Sequence, residues 1–330
     1  MTAVGIFFHW GNMLYYGMPR VIIDAPAKLN LHLHIGDRRS DGFHDIESLF
    51  LALAFGDTLC LETISHGTAP PPLEICMDGQ LSREDNIISR AVSLFRDRTG
   101  YDRALKISVE KRIPLGGGLG GGSSDAAAAL LALNRLALPD GEGLVNSAVL
   151  AGMGLELGSD VPFFLYDSPA AWVSGRGEHV QPLVLPQTTA GFTYILVNPG
   201  FSSSTAHAFR LYDRYRQPVS QSLYLCPEKV CLELFDHPRK WSFYNNFLPA
   251  LNTAARENPA CSEYNAYQEI ISVLYELGAD FAGLSGSGST CFGLFSISDK
   301  AVLANEFLCK RWPFIIITYP LARRAIQYYN

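Results

Sequence analysis

The stretch IPLGGGLGGGSSDAAAALLALNRL, residues 113–136, concentrates six glycines in the seven positions from Gly116 to Gly122. Glycine in such numbers costs backbone entropy on folding, so the run is expected to hold something that needs bare backbone. The segment before it, 104–114, alternates apolar and polar residues and ends at a proline, as a strand does. The alanine- and leucine-rich segment 124–136 has strong helix propensity. The sequence therefore predicts a strand, a glycine loop and a helix, in that order.

A glycine loop that leads into a helix presents several backbone N–H groups and the positive end of the helix dipole, which suits phosphate. A Walker loop would need a lysine at its end, and here Ser123 follows Gly122 directly. The spacing Gly116-x-Gly118-x-x-Gly121 fits a dinucleotide fingerprint, but no acidic residue ends a strand about 20 residues later. No HRD or DFG tripeptide follows, which argues against a protein-kinase loop. A flexible linker is the remaining alternative, and the proline before the run and the helix after it argue against that.

The composition predicts a globular protein of about two domains. The chain has 330 residues, of which 48% are hydrophobic and 18% charged, and its formal net charge is −6. This acidic balance argues against a protein that coats nucleic acid, and no apolar run reaches the roughly 18 residues of a membrane span. The seven cysteines form no C-x-x-C pair, so neither a zinc site nor a disulfide framework is indicated. We therefore expect a cytoplasmic protein with no nucleic-acid or membrane partner.

The first 17 residues carry no lysine or arginine, so the positive flank of a secretory signal is missing. We expect residues 1–17 to be a poorly ordered extension, or to follow from an upstream start codon with Met18 as the true initiator.

Strands and helices interleave along the chain without a regular repeat, which predicts an α+β protein in two domains. The strand patterns cover 20–36 with a break at Pro26, 57–64, 281–295 around a second glycine–serine loop, and 314–319. The helical patterns cover 85–100, 267–278 and 299–312. The stretch 187–191 is a candidate hinge, and 213–262 has many aromatic residues but little periodicity.

Three stretches resemble, in order, the three signatures of the GHMP small-molecule kinases. They are PAKLNLHLHIG (26–36), the Pro-x-glycine-rich-Ser-Ser loop, and LSGSGSTCFGLF (284–295). Together they span the chain from end to end. The resemblance implies a ribosomal-protein-S5-domain-2-like N-terminal domain over 18–188 and a ferredoxin-like C-terminal domain over 189–330, with the active site in the cleft between them.

The match narrows to one branch of this family. RRSDGFHDIESLF (38–50), RIPLGGGLGGGSSDAA (112–127) and GSDVPFFL (158–165) resemble kinases that use ATP to phosphorylate the 2-hydroxyl of a cytidine-diphosphate-linked methylerythritol in isoprenoid biosynthesis. The resemblance implies a small-molecule substrate and ATP, with Mg²⁺ carried by the ATP. Monomer and homodimer both stay open. A GHMP kinase for homoserine or mevalonate is one alternative, and a nucleotide-binding protein that has lost catalysis is another.

The resemblance also assigns the catalytic pair. A hydroxyl nucleophile must lose its proton, which a carboxylate can take while an ammonium stabilises the alkoxide. By resemblance, Asp160 in GSDVPFF is the general base and Lys28 in AKLN is its partner, and partial desolvation is expected to raise the basicity of Asp160. Taken alone, Asp160 before Pro162 would be a helix N-cap or turn residue, and Lys28 an exposed strand lysine. Asn30, on the same strand face as Lys28, is expected to bond the substrate or the base.

The stretch GFHDIESLF contains residues that are expected to bind the cytosine of the substrate. Stacking on an aromatic ring and hydrogen bonds to the polar edge recognise a pyrimidine. By resemblance, His44 bonds the cytosine edge, Phe43 and Phe50 form an aromatic wall, and Phe209 supplies the opposing face. Phe43 stands where the family often has tyrosine, a change that keeps stacking and loses a hydroxyl contact. For Phe50, core packing is the alternative.

The residues expected to contact ATP are those of the glycine loop and two positions that the resemblance places near the adenine. They are Asn86, Lys111, Pro114, Gly116, Gly117, Gly118, Leu119, Gly120, Gly121, Gly122, Ser123 and Ser124.

Three further features leave alternatives open. Asp125 either faces away from the phosphates in the first helical turn or ligates Mg²⁺ indirectly. His32 and His34 alternate on one strand without a third ligand, so we expect exposed strand residues and no metal site. The turn from Gly286 to Gly288 either packs against the first loop or is a tight hairpin without a ligand.

Overall fold

A computed structural model describes residues 19–65, 72–81, 86–138, 143–216 and 225–329. The expectation for residues 1–17 falls outside these ranges and stays a prediction. Within the described ranges, every helix is too short or too polar to cross a bilayer.

The strands fall into an N-terminal and a C-terminal sheet. They are β1 Arg20–Arg38, β2 His44–Ile64, β3 Leu73–Met77, β4 Gln80–Leu81, β5 Ala104–Glu110, β6 Ala170–Gly175, β7 His179–Leu183, β8 Thr193–Asn198, β9 Phe281–Leu284, β10 Cys291–Phe295, β11 Phe314–Thr318 and β12 Ile326–Tyr329.

The helices of the described chain pack on these sheets. They are α1 Ile87–Thr99, α2 Gly121–Ala137, α3 Ser147–Leu157, α4 Val161–Leu165, α5 Thr205–Tyr215, α6 Pro227–Leu234, α7 Phe247–Glu257, α8 Asn265–Glu276 and α9 Ser298–Leu308. Short 3₁₀ turns cover Gln187–Gly191, Pro238–Lys240 and Pro259–Tyr264.

The first sheet is built around the long antiparallel hairpin of β1 and β2. Its order is β12-β1-β2-β5-β3-β4, and the first half of β2 also pairs with β6, which pairs with β7. The predicted strand 57–64 is therefore the second half of a longer strand. Because β12 returns to pair with β1, a domain boundary near 188 remains a proposal and would leave β12 with the first unit.

The pairing of β1 with β2 shifts register between Pro26 and Lys28. Val21 and Ile23, before the shift, belong to the core that the first sheet forms with α1 to α4. Leu29, after the shift, belongs to the core between the two sheets. Across this shift β1 advances by two residues, from Pro26 to Lys28, and β2 by four, from Gly56 to Ala52, so the additional residues lie on β2. The predicted break at Pro26 is thus an irregularity inside one continuous strand, and beyond it Lys28 faces the helices while Leu29 does not.

The second sheet has the strand order of a ferredoxin-like fold. Its order β11-β8-β10-β9 is 4-1-3-2 in chain sequence, all neighbours are antiparallel, and α8 and α9 pack against it. The predicted α+β class and the ferredoxin-like C-terminal unit are confirmed. The segment 213–262 contains the end of α5 together with α6 and α7, and the candidate hinge at 187–191 is a 3₁₀ turn.

Local sequence explains the two helices nearest the glycine loop. Asn86 caps α1 by accepting a bond from the Ser89 amide at 2.8 Å, and Gly100 ends that helix in the left-handed conformation. The run of four alanines in α2 is fully buried against the sheet. Small side chains let the helix axis lie close to β1, which brings the start of α2 beside Lys28.

Removing a side chain from the core between the sheets is expected to destabilise the whole chain. Leu29→Ala deletes a side chain that is 0% exposed, and we expect the free energy of unfolding to fall by about 2–5 kcal/mol. The matched control Leu232→Ala changes a leucine that is 72% exposed and is expected to cost less than about 0.5 kcal/mol. Urea unfolding followed by circular dichroism measures both, and equal losses would contradict the assigned core.

Candidate active site

The glycine loop is held by residues of the C-terminal half. Gly116, Gly118 and Gly120 have φ angles of 64°, 74° and 71°, a region that only glycine adopts readily. The Ser203 amide donates to the Gly116 carbonyl at 2.9 Å, and the Ser285 hydroxyl donates to the Gly118 carbonyl at 2.9 Å. A Cβ on Gly118 would lie 2.2 Å from the Ser285 carbonyl oxygen. The glycines therefore permit a close approach of two backbones.

The second glycine turn packs against the first loop, as the first of the two alternatives expected. The Thr290 amide donates to the Gly117 carbonyl at 3.0 Å. The Ser203 hydroxyl donates to the Ser287 carbonyl at 2.8 Å, which fixes the turn from the other side.

The loop ends at the N-terminus of α2, where backbone amides are available. Gly120 is the N-cap, and Ser124 is the first residue whose amide bonds back into the helix, to the Gly120 carbonyl at 2.8 Å. The amides of the three residues between them therefore have no partner within the helix. These donors and the helix dipole suit an anion. The Ser124 side chain is buried, and its Oγ has no hydrogen-bond partner among the described residues.

Lys28 and Asp160 meet beside this helix start. The Lys28 ammonium lies 3.3 Å from an Asp160 carboxylate oxygen, and the Lys28 amide donates to the Leu119 carbonyl at 2.9 Å. The Lys28 side chain is 5% exposed and that of Asp160 is 29% exposed. The alternative of an exposed strand lysine is therefore wrong. Asp160 does precede a helix, α4, but its side chain makes no capping bond and faces the ammonium.

Asn30 orients the lysine. Its Oδ1 accepts from the Lys28 ammonium at 2.6 Å, and its Nδ2 donates to the Ser48 hydroxyl at 2.9 Å. Ser48 donates in turn to the His32 carbonyl at 2.5 Å. In this arrangement Asn30 contacts the partner of the expected base, and the chain of bonds fixes the ammonium in place.

The expected aromatic wall of Phe43 and Phe50 is not formed. Phe50 is buried in the core against Phe163, with ring centroids 5.2 Å apart, and the Lys28 ammonium lies 4.8 Å from its centroid. Phe43 precedes β2 and is half exposed. Along an extended strand the two positions are separated by roughly 20 Å, because each residue advances the chain by about 3.3 Å. Core packing, the alternative for Phe50, is what the structure has.

Phe209 comes from α5 and stacks on His44. The ring centroids are 5.2 Å apart at an interplanar angle of 17°. The His44 Nδ1 lies 2.9 Å from the Gly36 carbonyl oxygen, so Nδ1 is the donor in this contact. Its Nε2 lies 3.1 Å from Asp213 Oδ1, without the alignment of a hydrogen bond. We call Gly36, Phe43, His44, Phe209 and Asp213 the His44 site.

A buried charge cluster anchors the entry to the glycine loop. The Lys111 ammonium lies 2.6 Å from Asp125 Oδ2 and also contacts the Asp57 carboxylate. Asp57 is 0% exposed and accepts from the amides of Arg112 and Ile113 at 2.5 and 2.8 Å. The Lys111 ammonium therefore pairs with two carboxylates, and the Asp125 side chain faces the protein interior.

The environment of this cluster shifts the protonation of Asp125. Burial, together with the negative charge of Asp57, raises the pKa of Asp125 to about 7 against the opposing effect of Lys111. Burial lowers the pKa of Lys111, but the two carboxylates outweigh it and hold that pKa above its ordinary value.

His32 and His34 are buried, so the expectation of exposed strand residues is wrong. His32 accepts from the Tyr244 amide at 3.3 Å and stacks on Trp172, and burial lowers the pKa of His32 to about 3. His34 Nδ1 lies 2.9 Å from the Tyr244 hydroxyl. Across the residues that the structure describes, no cluster of three or more histidine, cysteine or acidic side chains could hold a metal ion.

Sequence reasoning missed two residues of this region. Asp57 opens an apolar strand pattern, and nothing local distinguishes it from a surface residue. Asp213 lies in the aperiodic segment and reaches His44 only through the packing of α5. Neither position carried a local signal, because the partners of each are more than 50 residues away along the chain.

Two family models match this chain. The GHMP kinases N terminal domain matches residues 86–168, and the GHMP kinases C terminal domain matches residues 243–313. The first range holds the glycine loop and Asp160, and the second holds the second glycine turn. By its fold and by these family models the chain is a GHMP kinase, a small-molecule kinase.

Relatives define the family more closely. The 4-diphosphocytidyl-2-C-methyl-D-erythritol kinase of Anaeromyxobacter sp. (strain K) is 37% identical over 279 residues, 84% of this chain and 81% of that one. The enzyme of the same name from Treponema pallidum (strain Nichols) is 35% identical over 302 residues, 89% and 97% of the two chains. The chain belongs to the 4-diphosphocytidyl-2-C-methyl-D-erythritol kinase family.

Solved structures agree with this assignment. A crystal structure of 4-(cytidine 5'-diphospho)-2C-methyl-D-erythritol kinase matches with a TM-score of 0.69 and 31% identity, covering 91% of this chain and 100% of the other. A homoserine kinase from Cytophaga hutchinsonii matches with a TM-score of 0.63 at 16% identity, covering 98% and 100%, and shares the fold.

A methyl group on Gly118 is expected to disrupt the contact between the two glycine turns. Gly118→Ala adds a clash with the Ser285 carbonyl and a left-handed strain of about 1–2 kcal/mol, so the free energy of unfolding should fall by more than that. In the control Gly122→Ala the nearest atom is 3.8 Å away, and stability is expected to hold or rise. Chemical unfolding compares the two variants, and indistinguishable losses would count against the observed packing.

Asp125 is expected to make stability depend on pH. The pKa of Asp125 is raised from 3.8 to about 7 on folding, so the folded state keeps this proton longer than the unfolded chain. The resulting contribution is full below about pH 4 and is lost as pH rises through about 7. Asp125→Asn removes this titration. The free energy of unfolding of the variant should therefore rise relative to that of the wild type as the pH increases from about 5 to about 8. Urea unfolding at several pH values measures the difference, and a constant difference would refute the assignment.

Proposed function

We propose that this protein phosphorylates the 2-hydroxyl of 4-diphosphocytidyl-2-C-methyl-D-erythritol with ATP, a step in the making of isoprenoid precursors. The observation that carries the proposal is the Lys28–Asp160 pair, 3.3 Å apart, beside the N-terminus of α2. The names of the relatives support the substrate, and the His44 site offers groups of the type that a pyrimidine requires.

Asp160 is the general base in this proposal. Its partly exposed carboxylate takes the proton of the substrate hydroxyl, and the oxygen attacks the γ-phosphorus of ATP. The bond from that phosphorus to the β–γ bridging oxygen breaks, and ADP leaves. Lys28, fixed by Asn30, stabilises the developing alkoxide. Transfer is direct, without a phosphoenzyme.

The glycine loop binds the phosphates of ATP through backbone amides at the start of α2. Gly116 to Gly122, with Pro114, Leu119, Ser123 and Ser124, form this part of the proposed site. Asn86 and Lys111 flank it near the adenine, and both side chains also hold structure, Asn86 as a helix cap and Lys111 in the buried cluster.

Mg²⁺ is proposed to arrive with ATP and to be held mostly by phosphate oxygens. Asp125 is engaged by Lys111, which argues against the alternative that it ligates the metal. When bound, Mg²⁺ would neutralise charge on the transferred phosphoryl group. The proposal includes a cytoplasmic enzyme, monomeric or homodimeric, without a nucleic-acid or membrane partner.

The base half of the substrate is proposed to bind at the His44 site. His44 would bond the cytosine edge, with Phe43 and Phe209 as the stacking surfaces. Phe209 now covers His44 itself, so base binding there requires the cytosine to reach the open side of Phe43 or to displace Phe209.

Turnover of alternative alcohols tests the proposal. ADP release with magnesium-ATP is compared for the cytidyl-methylerythritol substrate, homoserine and mevalonate, and only the first is expected to react. Asp160→Asn should lower kcat by about 10²–10⁴ while ATP binding is kept, because the carboxylate that removes the proton is lost. Asp236→Asn, a matched change at an exposed carboxylate, should leave kcat unchanged.

Other outcomes would each correct a different part. Turnover with another alcohol would support kinase activity and overturn the proposed cytosine-binding site at His44. ATP binding without any turnover would make the chain a nucleotide-binding protein. An Asp160→Asn variant with wild-type kcat would remove Asp160 as the base.

A further inference from the structure

The turn between β6 and β7 joins the two halves of the proposed site. Gly177 in this turn lies so close to the residue before Asp160 that a Cβ would stand 2.1 Å from the Ser159 carbonyl oxygen. At the start of the turn, Gly175 pairs with Ile46, two residues beyond His44 on β2. The turn therefore contacts the segment of Asp160, the expected general base, at one end and lies beside the His44 site at the other.

Arg176 projects from this turn over Phe43. Its guanidinium carbon lies 3.8 Å from the centroid of the Phe43 ring, which is 49% exposed. Throughout the described ranges, no ion pair within 4.0 Å includes this guanidinium, and its Nε is buried without a hydrogen-bond partner. The nearby Glu178 carboxylate accepts instead from the Arg176 backbone amide. Arg176 is thus a cation stacked on an aromatic ring without an acidic partner.

Two other cations near the His44 site, Arg39 and Arg38, are engaged. The Arg39 guanidinium pairs with Asp41 at 3.1 Å and with Asp45 at 2.8 Å. The Arg38 Nε donates to the Gly42 carbonyl at 3.1 Å, within its own hairpin. Arg176 is therefore better placed than Arg38 or Arg39 to meet a ligand anion between the two half-sites.

A substrate with cytosine at the His44 site and its hydroxyl at Asp160 must carry its diphosphate past this turn. A diphosphate diester bears two negative charges, and a guanidinium binds phosphate oxygens in a fork while its face stacks on an aromatic ring. We propose that Arg176 binds the diphosphate of the cytidyl substrate and that its stacking on Phe43 holds the guanidinium in place for this contact. This inference rests on the proposed function.

Binding of cytidine, CMP and CDP by calorimetry tests the role of Arg176 separately from turnover. Affinity for the wild type is expected to rise from cytidine to CDP. Arg176→Ala should weaken CDP about 10- to 100-fold, the loss of a charge-assisted contact, and leave cytidine within about 3-fold. Arg176→Lys should keep part of the CDP affinity. Arg311→Ala, which removes another arginine stacked on an aromatic ring, should change neither ligand.

Kinetics add a second readout. With Arg176→Ala, KM for the cytidyl substrate should rise while kcat and KM for ATP stay near the wild-type values, as for a contact present equally in ground and transition states. A rise in KM for ATP instead would assign Arg176 to the nucleoside triphosphate and overturn the inference.

The remaining outcomes are also decisive. Equal weakening of cytidine and CDP would mean that Arg176 acts only by packing on Phe43, and unchanged CDP affinity would exclude any contact. If the wild-type protein turns over the cytidyl substrate, either of these two results would overturn the inference about Arg176 and leave the proposed function standing. A wild type that neither binds CDP nor turns over the cytidyl substrate would overturn the proposed function and this inference together.

Discussion

The site depends on the register shift between Pro26 and Lys28 in the pairing of β1 with β2. Before the shift Val21 and Ile23 pack against the helices, whereas after it Lys28 and Asn30 lie on that side and Leu29 packs in the core between the sheets. Without the shift, Lys28 would point into that apolar core, where an unpaired charge costs several kcal/mol. One irregular residue pair therefore allows a structural strand to carry a reactive ammonium.

A lysine that is paired with carboxylates lies at each end of the glycine loop, Lys28 buried and Lys111 partly buried. Lys111 at the entry is neutralised by Asp57 and Asp125, and Lys28 at the exit is neutralised by Asp160. A buried ammonium is tolerated only when its charge is paired and its protons are bonded. The two clusters differ in what they leave open. The carboxylates at the entry are nearly closed from solvent, whereas Asp160 keeps an exposed side that a substrate can reach.

Hydrogen bonds hold the glycine loop in place, although glycine-rich segments are intrinsically flexible. Carbonyls of Gly116, Gly117 and Gly118 accept bonds from the C-terminal half, so the entropy cost of ordering the glycines is offset by contacts that no larger residue would permit. The geometry of the loop that is proposed to bind phosphate is consequently a property of both halves of the chain. The His44 site depends on both halves in the same way, because α5 supplies Phe209 and Asp213 to a histidine on β2.

The sequence by itself determined the features that are local. The strand, glycine loop and helix over 104–136 and the α+β class follow from periodicity and glycine spacing close together in the chain. The three family stretches are short segments recognised by their resemblance to a known family. Tertiary structure alone decided which polar side chains are buried and paired. No sequence pattern near Asp57 indicates that it is buried. His32 was expected to be exposed and lies in the core. Phe50 was expected to stack on the cytosine and instead lies buried beneath the Lys28 ammonium. Burial and charge pairing depend on residues distant in sequence, and a bulge can reverse the face of a strand without changing its pattern of alternation.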